Sequence, residues 1–259
     1  MKVQHLRNYV FMMSRFRNGL ALIQSLRRGT RCTEAQEWNG TTIVHPDRDG
    51  LAGTLVELWV DQCYLPEGFY EARPGDVIVD VGAHVGLFSI WMARRHLACR
   101  VVAIEPSDEN HPCLVANVAA AGVANVSVHR VALSGSYQHG TLRACTDRSI
   151  DHRFEAGSAE DGARIPAVPL AGIFELAKTD RIAFLKMDVE GAEHAAFETA
   201  DAELLARIDR LALEYHDNLV PGTLDLLTER LSATHDVRVE PTMGRNYGVL
   251  YATRRTVAG

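Results

Sequence analysis

No run of apolar residues approaches the roughly 20 that a membrane-spanning helix requires, so stable membrane insertion is not expected. Cysteine is sparse: five among 259 residues, at positions 32, 63, 99, 113 and 145, odd in number and without a C-x-x-C pair. That argues against a disulfide framework or a zinc site and reads as free thiols in a reducing cytoplasm. Positive charge is in deficit, with 27 Lys and Arg against 33 Asp and Glu and a formal net charge of −6. No nucleic-acid partner held by phosphate neutralisation is therefore expected. Aromatic residues make up only 7%, and no internal repeat or low-complexity tract occurs, so collagen-like and disordered chains drop out. What is present is 47% hydrophobic and 23% charged, ordinary for a globular chain, and the length suits one large α/β domain with an added arm.

Charge is unevenly spread. The first 33 residues hold seven basic residues and no acid, leaving 20 basic against 33 acidic in the remainder, a net of −13. Leu6, Tyr9, Val10, Met13, Phe16, Leu20 and Ile23 recur at helical spacing, which predicts an amphipathic arm over residues 1–40. Such a stripe is expected to bury itself against its own domain or against a second copy in a homo-oligomer. A membrane-surface helix or a mitochondrial presequence is the alternative. The apolar stretch Tyr9 to Met13 is too short for the core of a secretory signal.

Residues 41 to 70 read as short strands and turns, with turn signals at His45-Pro46-Asp47, Asp49-Gly50 and Pro66-Glu67-Gly68. After Pro74-Gly75-Asp76 the pattern changes. Apolar runs at Val77 to Val81, Val101 to Ile104, Val126 to Val131, Ile182 to Met187 and Leu211 to Tyr215 predict strands, with helices over Leu87 to Arg95 and Glu109 to Ala121. Short strands, apolar on both faces and alternating with helices, predict a parallel sheet covered on each side, a Rossmann-like α/β fold. The polar segment from about Ser134 to Ala167 interrupts this rhythm and is either an antiparallel hairpin or a loop over the site.

Ligands of such sheets bind beyond the carboxyl ends of the strands, where strand order reverses. The first strand ends in Asp80-Val81-Gly82-Ala83-His84-Val85-Gly86, whose small residues let backbone approach a ligand at a helix N-terminus. The second ends in Glu105, about 20 residues on, placed to accept hydrogen bonds from a ribose. A dinucleotide fingerprint needs a middle glycine where His84 stands, and an acid such as Asp80 beside it serves a pyrophosphate poorly. A ligand with an ammonium and a carboxylate is better served, which points to the methionine part of S-adenosylmethionine.

With Glu105-Pro106 and the segment Lys186-Met187-Asp188-Val189-Glu190-Gly191-Ala192-Glu193, the chain resembles the FkbM family of S-adenosylmethionine-dependent methyltransferases. Pro74-Gly75-Asp76, Asn117, Ala132-Leu133-Ser134 and Glu214-Tyr215-His216 carry the likeness further, over about Gly53 to Asp217. It implies a class I methyltransferase domain over 41–259, with seven strands in the order 3-2-1-4-5-7-6. Gly248 to Ala252 would be the antiparallel last strand. It implies O-methylation of a small-molecule hydroxyl, commonly on a sugar or a secondary metabolite, as in natural product biosynthesis. His84 replaces a frequent Asn, and Val168-Pro169-Leu170-Ala171-Gly172 replaces the usual Leu-Asp-Asp stretch.

The cofactor is then expected on Asp80, Gly82, Ala83, His84, Gly86, Glu105 and Asp188, with Pro106, Ser107, Ala132 and Leu133 near the adenine. Lys186, Asp188, Glu190, Glu214 and His216 are the candidate catalytic groups, with Glu193 and Asp217 nearby. An aliphatic hydroxyl must lose its proton as the methyl group arrives, and histidine is the usual base near neutral pH, so His216 is the first candidate. Asp188 or Glu190 is the alternative base. Lys186 and Asp188 also suit a plain salt bridge, and acids after Gly191 suit a helix N-terminus. A divalent metal on Asp188 with His216 or Asp217 is the minor reading, because the spacing matches no dedicated motif. An NAD-dependent oxidoreductase and a non-catalytic S-adenosylmethionine-binding protein are the rival functions.

Overall fold

The computed structural model of the chain describes residues 2–46, 50–144, 152–157, 164–242 and 246–255. Asp47 and Asp49 of the expected turns, and Cys145, lie outside the described residues. The arm forms α1 (Lys2–Arg15) and α2 (Gly19–Arg28), followed by β1 (Glu34–Gln36), which pairs antiparallel with β2 (Thr42–Val44). The boundary expected at residue 40 thus falls inside a hairpin. At Gly19 a side chain would meet the Met12 carbonyl oxygen at 2.4 Å, so only glycine permits the tight turn between the helices.

That turn resets the helical phase and divides the expected stripe. Met12, Phe16, Leu22 and Ile23 are buried with Ile43, Leu51, Leu55, Trp59 and Leu87, each large side chain contributing roughly 1.5–3 kcal/mol by burial. Leu6, Val10, Met13 and Leu20, expected inside, stay 53–63% exposed. Trp59 stacks on Phe16 with ring centroids 6.2 Å apart and donates to the Leu87 carbonyl at 2.9 Å. Glu37, almost fully buried, takes Arg15 at 2.6 Å and Arg94 at 2.8 Å, and Arg7 pairs with Asp61. The arm is therefore fastened to its own chain.

A helix stands where strands and turns were expected. α3 (Leu51–Leu55) runs into a π-helical turn, Val56–Asp61. Leu51, Ala52, Leu55, Val56 and Trp59 recur at helical spacing and are all buried, and that periodicity outweighs the turn-forming glycines around it.

The main sheet contains β3 (Val77–Val81), β4 (Arg100–Ile104) and β5 (Val126–His129), with α4 (Leu87–Arg95) and α5 (Asn110–Ala121) between them. β6 (Ala132–Leu133), β7 (Gln138–Ala144), β8 (His152–Ala156) and β9 (Ile165–Val168) form a separate sheet in the order β6-β9-β7-β8. The polar segment is thus an antiparallel excursion. The third strand stops at His129, and Ala132–Leu133 instead pairs parallel with β9.

The chain returns through α6 (Leu170–Ala177), β10 (Phe184–Met187), α7 (Ala192–Glu198), α8 (Ala202–Leu205), β11 (Arg210–His216), α9 (Thr223–Ser232), β12 (His235–Pro241) and β13 (Tyr247–Arg254). The main sheet runs β12-β13-β11-β10-β3-β4-β5, the expected 3-2-1-4-5-7-6, with β13 antiparallel to both neighbours. All five residues of β3 are buried. Val77, Val79 and Val81 pack with Phe174, Phe197 and Leu227, whereas Ile78 packs with Phe88, Met92 and Phe184. Alternate residues of one strand thus enter two cores. Strand order reverses between β4 and β10 on either side of β3, which fixes where a ligand should bind.

Candidate functional site

After β3 the backbone takes left-handed turns at Gly82 (φ 76), His84 (φ 52) and Gly86 (φ 86). Gly82 and Ala83 both donate to the Ile104 carbonyl at 2.9 Å, binding the loop to the end of β4. A side chain at 82 would lie 1.7 Å from the Asp188 carbonyl oxygen, so the glycine is required by the close passage of the β10 end. Asn tolerates the conformation at 84 better than most residues, which accounts for its frequency there; His is also enriched in this region.

Glu105 sits beneath this loop, 5% exposed. One carboxylate oxygen accepts from the His84 N–H at 2.8 Å and the other from the Ser107 N–H at 3.0 Å. Burial pushes its pKa up, against these hydrogen bonds and one from Asn110. The carboxylate thus has a structural purpose that its sequence position did not reveal. Asn117, fully buried, accepts from the Val44 N–H and donates to the Val44 and Val85 carbonyls at 2.7–2.8 Å, joining the arm's hairpin to the loop.

Asp80 does not stand where the sequence placed it. It is fully buried, paired with the Lys186 Nζ at 3.2 Å and accepting from the Ser89 hydroxyl at 2.7 Å, and it faces neither of the cavities described below. β10 pairs with β3 in the register that sets Lys186 opposite Asp80. Lys186 also donates to the Gly82 carbonyl at 2.6 Å. Burial disfavours its charge, yet Asp80 and Asp188 together hold its pKa above the ordinary value. Lys186 thus pairs with Asp80, where the spacing had suggested a bridge to Asp188.

Asp188 and Glu214 meet at Tyr64, whose hydroxyl lies 3.1 Å from one carboxylate and 3.2 Å from the other. Beside them the His216 imidazole is buried, with Nδ1 3.1 Å from Glu193 and Nε2 3.5 Å from Glu190 and 3.9 Å from Glu214. Glu193, fully buried, also accepts from the backbone N–H groups of Gly191 and His216. Burial works against charge on His216, but Glu193, Asp188 and Glu190 outweigh it and raise the pKa to about 10. Burial and the neighbouring Asp188 push Glu214 up to about 8. The acids around His216 favour its imidazolium form, which works against its use as a base. Asp217 turns away, accepting from Leu224 N–H at the start of α9.

A cavity of about 840 Å³ opens above this group, a size suited to a small-molecule ligand. Ala83, Lys186, Glu214 and His216 lie on the sheet side, and Glu57, Tyr64, Gly29 and Arg31 come from the π-helix, its following loop and the arm. A narrower cleft is walled by Glu105, Pro106, Ala132, Leu133, Leu142 and Phe154. The two share Gly82, His84, Asp188 and Glu190. Gly86 and Ser107, expected at the cofactor, line neither. Tyr64, Glu57 and Glu193 were missed or undervalued; only Glu193 had a signal, inside the segment that begins at Lys186.

An apolar cleft with a buried acid at its end, opening into a polar cavity, fits an adenosyl group continuing into a methionine chain. Asp188, Glu214 and His216 bring one ligand atom each within 4.8 Å of the others. A divalent ion there would have to displace the imidazolium proton and compete with the Tyr64 hydroxyl. No helix among the described residues is long and apolar enough to cross a membrane.

A 31-O-demethyl-FK506 methyltransferase from Streptomyces tacrolimicus is 38% identical over 79 residues, 30% of each chain. An antimetabolite synthetase from Pseudomonas aeruginosa is 26% identical over 215 residues, 68% of this chain but 10% of its own length. The chain thus spans less than a third of either relative. Magnesium protoporphyrin IX methyltransferase from Synechocystis with bound S-adenosylmethionine superposes with a TM-score of 0.44 at 14% identity, over 78% of this chain and 79% of that one. The FkbM methyltransferase domain matches residues 80–238, more than half of the sequence, and the chain belongs to that family.

Proposed function

We propose that the protein is an S-adenosylmethionine-dependent O-methyltransferase acting on a hydroxyl of a small molecule, a sugar or a secondary metabolite. The observation that carries this reading is the junction at Gly82 and Asp188, where the apolar cleft meets the polar cavity. Glu105, Pro106, Ala132 and Leu133 would hold the adenosyl part, and the backbone at Gly82 to His84 with Asp188 would face the methionine part. The 31-O-demethyl-FK506 methyltransferase acts, by its name, on an O-demethyl substrate, which favours a hydroxyl acceptor here as well.

When bound, S-adenosylmethionine supplies a methyl group already activated by its sulfonium. The chain's own work is to hold the acceptor oxygen in line, where orientation alone can supply ~7–11 kcal/mol of the barrier, and to take the hydroxyl proton. Asp188 is the base in this reading, since it stands at the junction and the acids around His216 favour its protonated form. The Tyr64 hydroxyl holds the carboxylates of Asp188 and Glu214, and His216 faces Glu190. The arm's exposed face at Leu6, Val10, Met13 and Leu20 is where a second copy would associate. Free thiols at 32, 63, 99 and 113 suit a cytoplasmic protein.

Transfer of labelled methyl from S-adenosylmethionine to a panel of polyhydroxylated acceptors tests the reading. Asp188→Asn should lower turnover by about 10²–10⁴-fold. Nicotinamide binding without methyl transfer would favour the oxidoreductase, and cofactor binding with no transfer to any acceptor would favour a binding protein.

A further inference from the structure

The two buried cations beside the catalytic carboxylates have nearer partners. Lys186 lies against Asp80, and His216 lies against Glu193 and Glu190. Asp188 and Glu214 are left to share the Tyr64 hydroxyl, at 3.1 and 3.2 Å. One phenolic proton can be given to only one acceptor at a time. Two carboxylates this close, half-buried and short of positive charge, favour keeping a proton between them. Of the other groups facing them, His216 Nε2 lies 3.9 Å from Glu214, farther than from Glu190 and Glu193, and Arg31 of the arm is exposed and screened by solvent, while Glu57 on the π-helix adds negative charge and burial pushes the Cys63 thiol up. The raised pKa of Glu214 agrees with the geometry.

Asp188 also lies where the cleft and the cavity meet, the place that a sulfonium between adenosine and methionine would occupy. Resting on the methyl-transfer reading above, we propose that the Asp188–Tyr64–Glu214 group holds a proton in the free site and releases it to solvent when the positively charged methyl donor binds, so that the site distinguishes that donor from its neutral product. S-adenosylmethionine and S-adenosylhomocysteine share the adenosine, the ammonium and the carboxylate and differ by a methyl group and one charge. A nearby cation lowers a carboxylate pKa by about 1–3 units. Loss of the proton frees Asp188 to accept the hydroxyl proton of the acceptor as the methyl group moves, and that proton returns the site to its protonated state beside a neutral product.

The test is calorimetry of both ligands on the full chain, in two buffers of different ionisation enthalpy, at several pH values. S-adenosylmethionine should release about half a proton or more near pH 7, and its affinity should rise about tenfold between roughly pH 6 and 8. S-adenosylhomocysteine should release none and bind with a level affinity. Glu214→Gln should bind S-adenosylmethionine without the release. Equal proton release by the two ligands, release by neither, or release retained in Glu214→Gln would overturn the proposal. The wild-type comparison stands even if that variant does not fold. Failure of both ligands to bind would instead refute the methyltransferase reading itself.

Discussion

One carboxylate oxygen of Glu193 holds His216 twice, accepting from its backbone N–H at 2.9 Å and lying 3.1 Å from its imidazole Nδ1. The second oxygen accepts from the Gly191 N–H at 2.8 Å, so a single buried side chain joins the turn after β10 to the end of β11. Burial opposes charge on the ring, but the negative charge of Glu193, Asp188 and Glu190 favours the imidazolium and raises its pKa to about 10.

Glu193→Gln should therefore lower the His216 pKa by about 1–3 units, read by imidazole nitrogen shifts in an NMR titration. Stability moves with it. A raised histidine pKa contributes stability that is full below the unfolded value of 6.5 and is lost as pH climbs toward 10. The gap in melting temperature between wild type and variant should be widest below that value and narrow at alkaline pH. A gap independent of pH would mean that Glu193 acts only through the backbone N–H groups.

The sheet was readable because its strands are short, apolar and punctuated by Gly and Pro, and because the segment from Lys186 to Glu193 carries its chemistry in consecutive residues. What escaped reading depends on distant register. Lys186 meets Asp80 through the β10–β3 pairing, and nothing local announces a partner 106 residues away. Tyr64 reaches acids 124 and 150 residues further on, from the loop after a π-helical turn disguised by turn-forming neighbours. The arm was seen as one stripe because the turn that Gly19 allows was not. Asp80 was read from its place beside a ligand loop, whereas burial and Lys186 decide its use.

Glu105 gives a second prediction. Glu105→Ala removes charged hydrogen bonds to the His84 and Ser107 N–H groups, worth roughly 1.5–3 kcal/mol each. The ligand-free protein should melt several degrees lower, since about 1 kcal/mol shifts a domain of this size by roughly 2–4 °C. Calorimetry should also show an affinity for S-adenosylmethionine at least about tenfold weaker if a ribose uses the same carboxylate. A lower melting temperature with unchanged affinity would leave Glu105 as a loop anchor and end its ribose assignment.

Glu214 offers a third, with the opposite outcome for stability. Its folded pKa, about 8, lies above the ordinary 4.5 because burial and Asp188 penalise its charge. The neutral carboxyl contributes stability below the ordinary value, and that contribution is lost as pH rises through about 8, where the folded protein must carry the ion. Glutamine in its place is neutral at every pH and keeps an oxygen to accept from Tyr64. Glu214→Gln should therefore match the wild type near the low end of that range and melt several degrees higher above its upper end. His216 remains in both proteins, so its own alkaline loss falls on each and drops out of the comparison to first order. Melting curves that run parallel from acid to alkali would show that Glu214 is ionised throughout in the folded chain. The shortage of positive charge between Asp188 and Glu214 would then have to be met by some group other than a retained proton.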